Sequence, residues 1–208
     1  LGSPLTGRNP AIADALKDGA FCYGTARFEN DLVLRCDRGL TAVGEMTVLN
    51  CTLDANRIGL LEHVGHLIVE NTIVANSLEV GIEHDLGGHT PIVTHCNVWN
   101  PGASAGNYRG LGDRTGTDGN LSVAPRYKNA GADNFRLTFG SPGIDAADGT
   151  LAPVTDAAGL ARYDDPRTGN TGTPAANGAV PDIGAFEFAE TAPSNLDLIL
   201  TGVNGPAE

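Results

Sequence analysis

Short apolar runs recur along the chain, and most are too brief and too alternating to be helices. Between about residue 26 and residue 100 the segments VLNCTLDANRIGLLEH and IVENTIVANSLEVGIEH superimpose. Cys51 falls on Asn71, Leu53 on Ile73 and Asn56 on Asn76, an offset of 20. After one extra residue, Leu61-Glu62-His63 falls on Ile82-Glu83-His84, an offset of 21. A third copy, IVTHCNVWN, brings Cys96 onto Asn71 and Val98 onto Ile73. A unit of this length cannot bury its own apolar face, so it must stack on its neighbours. Stacked strands lie about 4.8 Å apart, so equivalent positions become neighbours in ladders. The pattern predicts an apolar ladder of Leu53, Ile73 and Val98, with Asn56 and Asn76 stacked at a turn, where asparagine tolerates unusual backbone angles. Leucine-rich repeats have similar lengths, but their LxxLxLxxN spacing is absent. The fold class expected is all-β, a parallel β-helix of about four to six coils.

The flanks read differently. Asn9-Pro10 followed by AIADALKDG carries a cap, a first-turn proline and a stop at Gly19, with Ile12 and Leu16 on one stripe. This predicts a short helix, either covering the first coil or connecting to something upstream. Three regions follow: an N-terminal segment over 1–25, the β-helix with its closing strand over 26–188, and a tail or linker over 189–208. Beyond residue 100 the repeat gives way to a Gly-, Pro- and Asp-rich stretch. Phe135-Arg136-Leu137 and Ile183 to Phe188 are the strands predicted there.

Two passages in this stretch carry a resemblance. APRYKNAGADNFRLTFGSPGIDAADG and ARYDDPR…GAVPDIGAFEF resemble the terminal segments of secreted and surface-anchored right-handed parallel β-helix proteins of pectin-lyase-like architecture, including those with variable C-terminal anchors. The resemblance covers about residues 44–188 and specifies architecture better than activity. It implies a right-handed solenoid at an extracellular or cell-surface location. It also implies that Phe135, Leu137, Pro142, Ile144 and Asp145 belong to a late coil. Asp182, Ile183, Gly184, Phe186 and Glu187 would lie against the final coil and close it. Such proteins usually have more coils, so part of a groove would come from upstream coils, another protein chain or self-association.

Composition narrows the partners. Acidic residues outnumber basic ones 25 to 13, for a net charge of -12, and no basic run exists. Nucleic acid is therefore excluded as a partner, and attachment to anionic lipid is disfavoured. No run of 18 apolar residues is present to insert into a membrane. Cys22, Cys36, Cys51 and Cys96 match neither a CxxC pair nor a zinc site, leaving two disulfides or four buried thiols as alternatives.

The candidate chemistry lies where the repeat places Glu62-His63 beside Glu83-His84. Side chains alternate faces along a strand, so the useful units would be Glu62 with Glu83, or His63 with His84. Such a pair can hold zinc or copper, or act as a base beside a uronate carboxylate, provided a cation stabilises the developing charge. Arg57, Arg109 and Arg114 are the candidate cations. The plainer alternative is that these are solvated turn residues repeated with the coil. Asp145, Asp148, Asp164 and Asp165 place hard oxygens in tight turns and are candidate ligands for calcium, although ordinary Asx turns explain them as well and no cofactor is required. Trp99, Tyr108 and Tyr127 are the candidate platform for a glycan. The repeats account for more residues than any active site, which favours a noncatalytic scaffold or adhesion module. The alternatives are a polysaccharide lyase or uronate epimerase, and a glycan-binding module.

Overall fold

The computed structural model describes residues 11–85 and 87–189. They form a parallel β-helix whose first rung holds β1 (Ile12–Ala13), β2 (Asp18–Cys22) and β3 (Thr25–Glu29). The second holds β4 (Leu32–Leu34), β5 (Arg38–Ala42) and β6 (Glu45–Leu49); the third, β7 (Thr52–Asp54), β8 (Ile58–Glu62) and β9 (His66–Glu70). The fourth holds β10 (Ile73–Ala75), β11 (Val80–His84) and β12 (His89–Thr94), and a fifth begins with β13 (Asn97–Trp99) and β14 (Tyr108–Arg109). Three parallel sheets result, in the orders β1-β4-β7-β10-β13, β2-β5-β8-β11-β14 and β3-β6-β9-β12. All-β architecture and stacking are thus as the repeat predicts, with about four turns.

The expected helix over 9–19 is not formed. Ile12 and Ala13 instead pair with Val33 and Leu34, and Asp18 to Cys22 pair with β5. Ile12 lies in the interior column that the next rung continues as Val33, so stacking on a rung overrides local helix signals. Asn9 and Pro10 lie outside the described residues, as does the tail from 190 onward. The first rung is an edge. Among the described residues β1, β2 and β3 pair on one side only, and Ile12, Ala20 and Phe28 are part-exposed where Val33, Leu40 and Val48 one rung on are fully buried.

The register also differs from the one the sequence suggests. Leu53 pairs with Val74, and Val74 with Val98, so the interior ladder runs Val33, Leu53, Val74, Val98. Ile73 pairs with Thr52 and points to the opposite side, into a second apolar cluster outside the helix. A shift of one residue moves a side chain to the other face of a strand.

Each corner has its own ladder. Left-handed residues stack at two of them: Asp14, Arg35, Ala55 and Asn76 at one, Asn30, Asn50, Asn71 and His95 at the other. Asn76 therefore follows Ala55, and Asn56 has a different role. Its Oδ1 accepts the Cys36 N–H at 2.9 Å while its Nδ2 donates to Val33 O at 2.9 Å. Asn100 bridges Ser77 N–H and Val74 O in the same way, and Asn120 bridges Cys96 N–H and Val93 O. At the Asn50 corner the Thr72 hydroxyl accepts the Cys51 N–H at 3.2 Å and donates to Glu70 O at 2.9 Å, with Val48 O further off at 3.4 Å. Each bridge spans a left-handed corner and satisfies one donor and one acceptor that water cannot reach.

Two glycine ladders fix the rungs. At Gly19, Gly39 and Gly59 a Cβ would collide with the carbonyl oxygen of Gly39, Gly59 and Gly81 respectively. Gly24, Gly44, Gly65 and Gly88 stack similarly where the second sheet turns into the third. All four cysteines are thiols; Cys36, Cys51 and Cys96 are buried, and their Sγ atoms donate to backbone carbonyls.

The chain after the fifth rung packs on the outer flank of the first sheet. An antiparallel hairpin of β15 (Tyr127–Asn129) and β16 (Asn134–Leu137) confirms the strand around Phe135. Ile183 to Phe188 is not a strand. It crosses the flank of the third and fourth rungs, with Gly184 N–H donating to Asn71 O at 2.8 Å and Ala185 N–H to Thr52 Oγ1 at 3.0 Å. It therefore braces the side of the solenoid, where closure of the final coil was expected. Ile73, Leu137, Ile144, Ile183 and Phe188 form the apolar seam.

Candidate functional site

Strand pairing separates the residues that the sequence match brings together. Two corners each gain a residue: Val64-Gly65 lengthens one, and Leu78-Glu79 the other. Glu62 consequently pairs with His84, and Leu61 with Glu83. Glu62 continues the interior column of Cys22 and Ala42, is fully buried, and places Oε2 in contact with His84 Nδ1. Its Oε1 is buried without a hydrogen-bond partner. His63 lies beside Asp85 instead, Nδ1 to Oδ2 at 2.9 Å. Neither expected pair, Glu62 with Glu83 or His63 with His84, forms.

Glu83 faces outward into a chain of ion pairs. Arg57 contacts Asp37 at 2.6 Å and also Glu79; Arg109 contacts Glu79 at 2.7 Å and Glu83 at 2.5 Å. Hydrogen bonding to Asp37 is the main cause that pushes the Arg57 pKa up, and Arg109 is the main cause that pulls Glu79 down. Arg57 sits just before β8 and Glu62 at its end, about 16 Å apart along an extended strand. Arg57 and Glu62 are thus not convergent, whereas Glu83 does meet a cation, Arg109, as a closed ion pair. Arg114 lines a shallow open concavity of about 250 Å³ with Thr90, Ile92 and Asp118, which none of Glu62, His63, Glu83 or His84 reaches.

The aspartates occupy structural turns. Asp148 Oδ1 accepts from Thr150 and Thr173; burial opposes ionisation, but these bonds outweigh it and lower its pKa. Asp165 pairs with Arg167 at 2.9 Å, which holds its carboxyl below the usual range, while Asp164 accepts from Asn170 at 3.4 Å. Asp145 is buried; Oδ1 accepts Asp165 N–H at 3.2 Å and Oδ2 has no hydrogen-bond partner. Burial first, then the charges of Asp164, Asp165 and Glu187, push its pKa to about 6 against the Asp165 N–H. Among the described residues no three His, Cys, Asp or Glu side chains are grouped to hold a metal.

A network invisible in the sequence holds this region together. Asp145 N–H donates to Asp182, Asp182 N–H to Glu187, and Glu187 N–H to Asp156. Buried Arg162 contacts Glu187 at 2.6 Å and donates to Asn30 Oδ1 and Pro153 O. Irregular backbone buried without a ladder must find other acceptors, and carboxylates supply them.

The aromatic residues do not share a ledge. Tyr108 pairs with Ile82 and packs against the interior cluster, while Trp99 pairs with Ala75 on the outer side of the first sheet. Tyr127 packs edge-on against Phe135 at 4.9 Å, its buried hydroxyl facing Asp54.

Four of the five histidines gather where the second sheet turns into the third. Besides His63 and His84, an outer column runs Thr25, Glu45, His66, His89, which sequence reasoning missed. The signal was present, since each of these four directly follows a corner glycine: Gly24, Gly44, Gly65 and Gly88. Comparisons with known protein families, curated proteins and solved structures gave no match.

Proposed function

We propose that this chain is a noncatalytic β-helix scaffold or adhesion module acting outside the cell, the C-terminal portion of a pectin-lyase-like solenoid. The observation that carries the reading is the neutralisation of the two candidate cations nearest the Glu and His residues of the second sheet. Arg57 and Arg109 each touch two carboxylates, while Glu62 is turned inward, away from any uronate. Electrostatic stabilisation of a developing anion needs donors aimed at an open reacting position, and arginines already paired with carboxylates do not supply one. The half-covered first rung supports the second part of the proposal. Upstream coils, another chain or a second copy would continue its three parallel edges, as repeat stacks require.

The test is incubation with polyuronates, with and without calcium, following unsaturated product, epimerised residues and retention on the immobilised glycans. The scaffold reading expects no turnover and no retention. Turnover that Glu62→Gln abolishes would establish the lyase or epimerase alternative; retention without turnover would establish a glycan-binding module.

A further inference from the structure

We propose that His66 and His89 form an open site for a divalent late transition-metal ion on the outer corner of the third and fourth rungs. The two residues pair directly in the parallel register, and their ring centroids lie 5.3 Å apart with planes at 58°. An ion about 2.1 Å from one nitrogen of each imidazole, with a tetrahedral angle between them, places the centroids roughly 5 Å apart. The resting spacing therefore already suits a shared ion without moving the rungs. Glu45, one rung before His66, places Oε2 3.4 Å from His66 Nδ1. That contact puts a carboxylate on the Nδ1 side of the ring and leaves Nε2 as the coordinating nitrogen; closing it to a hydrogen bond gives the arrangement by which an outer carboxylate makes an imidazole a better ligand.

Imidazoles select zinc, copper and nickel over calcium or magnesium. The site is open: His89 is exposed, and with two protein ligands the remaining positions belong to water or to a ligand from outside. It uses neither the buried Glu62 nor its partner His84. The competing explanation is two histidines stacked because the rungs stack, with no ion between them. The chain's charge of -12 favours a cation at this corner, where Glu45 and Asp85 add local negative charge.

The deciding experiment titrates Ni2+ into the chain, carrying no histidine tag, by calorimetry, and follows paramagnetic broadening of the imidazole resonances. One equivalent is expected, with His66 and His89 broadened first. His66→Asn and His89→Asn should each weaken binding more than about 100-fold, and Glu45→Gln about 10- to 100-fold with both imidazoles still broadened. His63→Asn should leave binding unchanged, and far-UV circular dichroism checks that every variant keeps its sheet content. Absence of binding by the parent chain overturns the proposal. So does binding that survives in the His66→Asn/His89→Asn double variant, or that His63→Asn removes.

Discussion

Glu62 lies opposite His84, one rung on, and the pair is turned into the solenoid at the corner between two sheets. An ionisable pair in that position belongs to the interior. Glu62→Ala strands the half-buried imidazole and should lower stability by about 3 kcal/mol, whereas Arg57→Ala at the half-exposed ion-pair chain should cost about 0–1 kcal/mol. Urea denaturation of both variants checks the contrast; equal effects would place Glu62 at the surface.

The glycine ladder predicts a backbone effect with no change in polarity. At Gly59 a methyl group meets Gly81 O and the Val74 side chain, so rungs three and four cannot approach. Gly59→Ala should destabilise by about 1–3 kcal/mol. The same substitution at Gly102, where a methyl meets nothing, should be nearly neutral by thermal melting.

Stability should fall as pH rises through about 6. Asp145 and Asp54 both have pKa values raised by burial to about 6. The folded state therefore binds protons more tightly than the unfolded chain. The resulting stabilisation is complete below the unfolded value near 4 and is lost as pH climbs through the folded one. For Asp145 the span corresponds to on the order of 2–3 kcal/mol. Asp145→Asn keeps an acceptor for Asp165 N–H and should reduce the slope between about pH 4 and 7, leaving the share that Asp54 contributes, measured by denaturation at several pH values; an unchanged slope would contradict it.

Thiol chemistry gives an independent check on the interior. Burial pushes Cys51 up strongly and Cys96 up to about 12, and neither thiol is exposed. Native protein should react with a thiol reagent at Cys22 first, and unfolded protein should yield four thiols without reductant. A lower count in the unfolded chain would indicate disulfides.

The architecture was legible because the repeat is a consequence of stacking, and stacking leaves period in the sequence. Register was not, because the LEH and IEH triplets match in chemistry while two corner insertions shift the pleat. The match placed Leu53 over Ile73 and Glu62 over Glu83, and both errors come from counting side chains that resemble each other. Glycines at 19, 39, 59 and 81 keep the true count, since no other residue fits between the rungs. The helix over 9–19 failed for the opposite reason: its caps were local signals, and Ile12 had an interior column to join. The carboxylate network around Asp145, Asp182 and Glu187 joins positions dozens of residues apart through irregular backbone, which no periodicity announces.

The asparagine bridges give the stack a direction. Asn56, on the third rung, completes a corner of the second, and Asn100, on the fifth, completes the same corner of the fourth, so each of these corners is left unfinished until the following rung arrives. A solenoid built this way cannot simply stop. Here the fourth rung's other left-handed corner is finished by Asn120, carried on a loop that adds only the bridge of Leu121 to Asn97 yet makes the equivalent two bonds to Cys96 and Val93. The chain brings its repetition to an end by imitating the next repeat with two adjacent residues, the side chain of Asn120 and the backbone of Leu121.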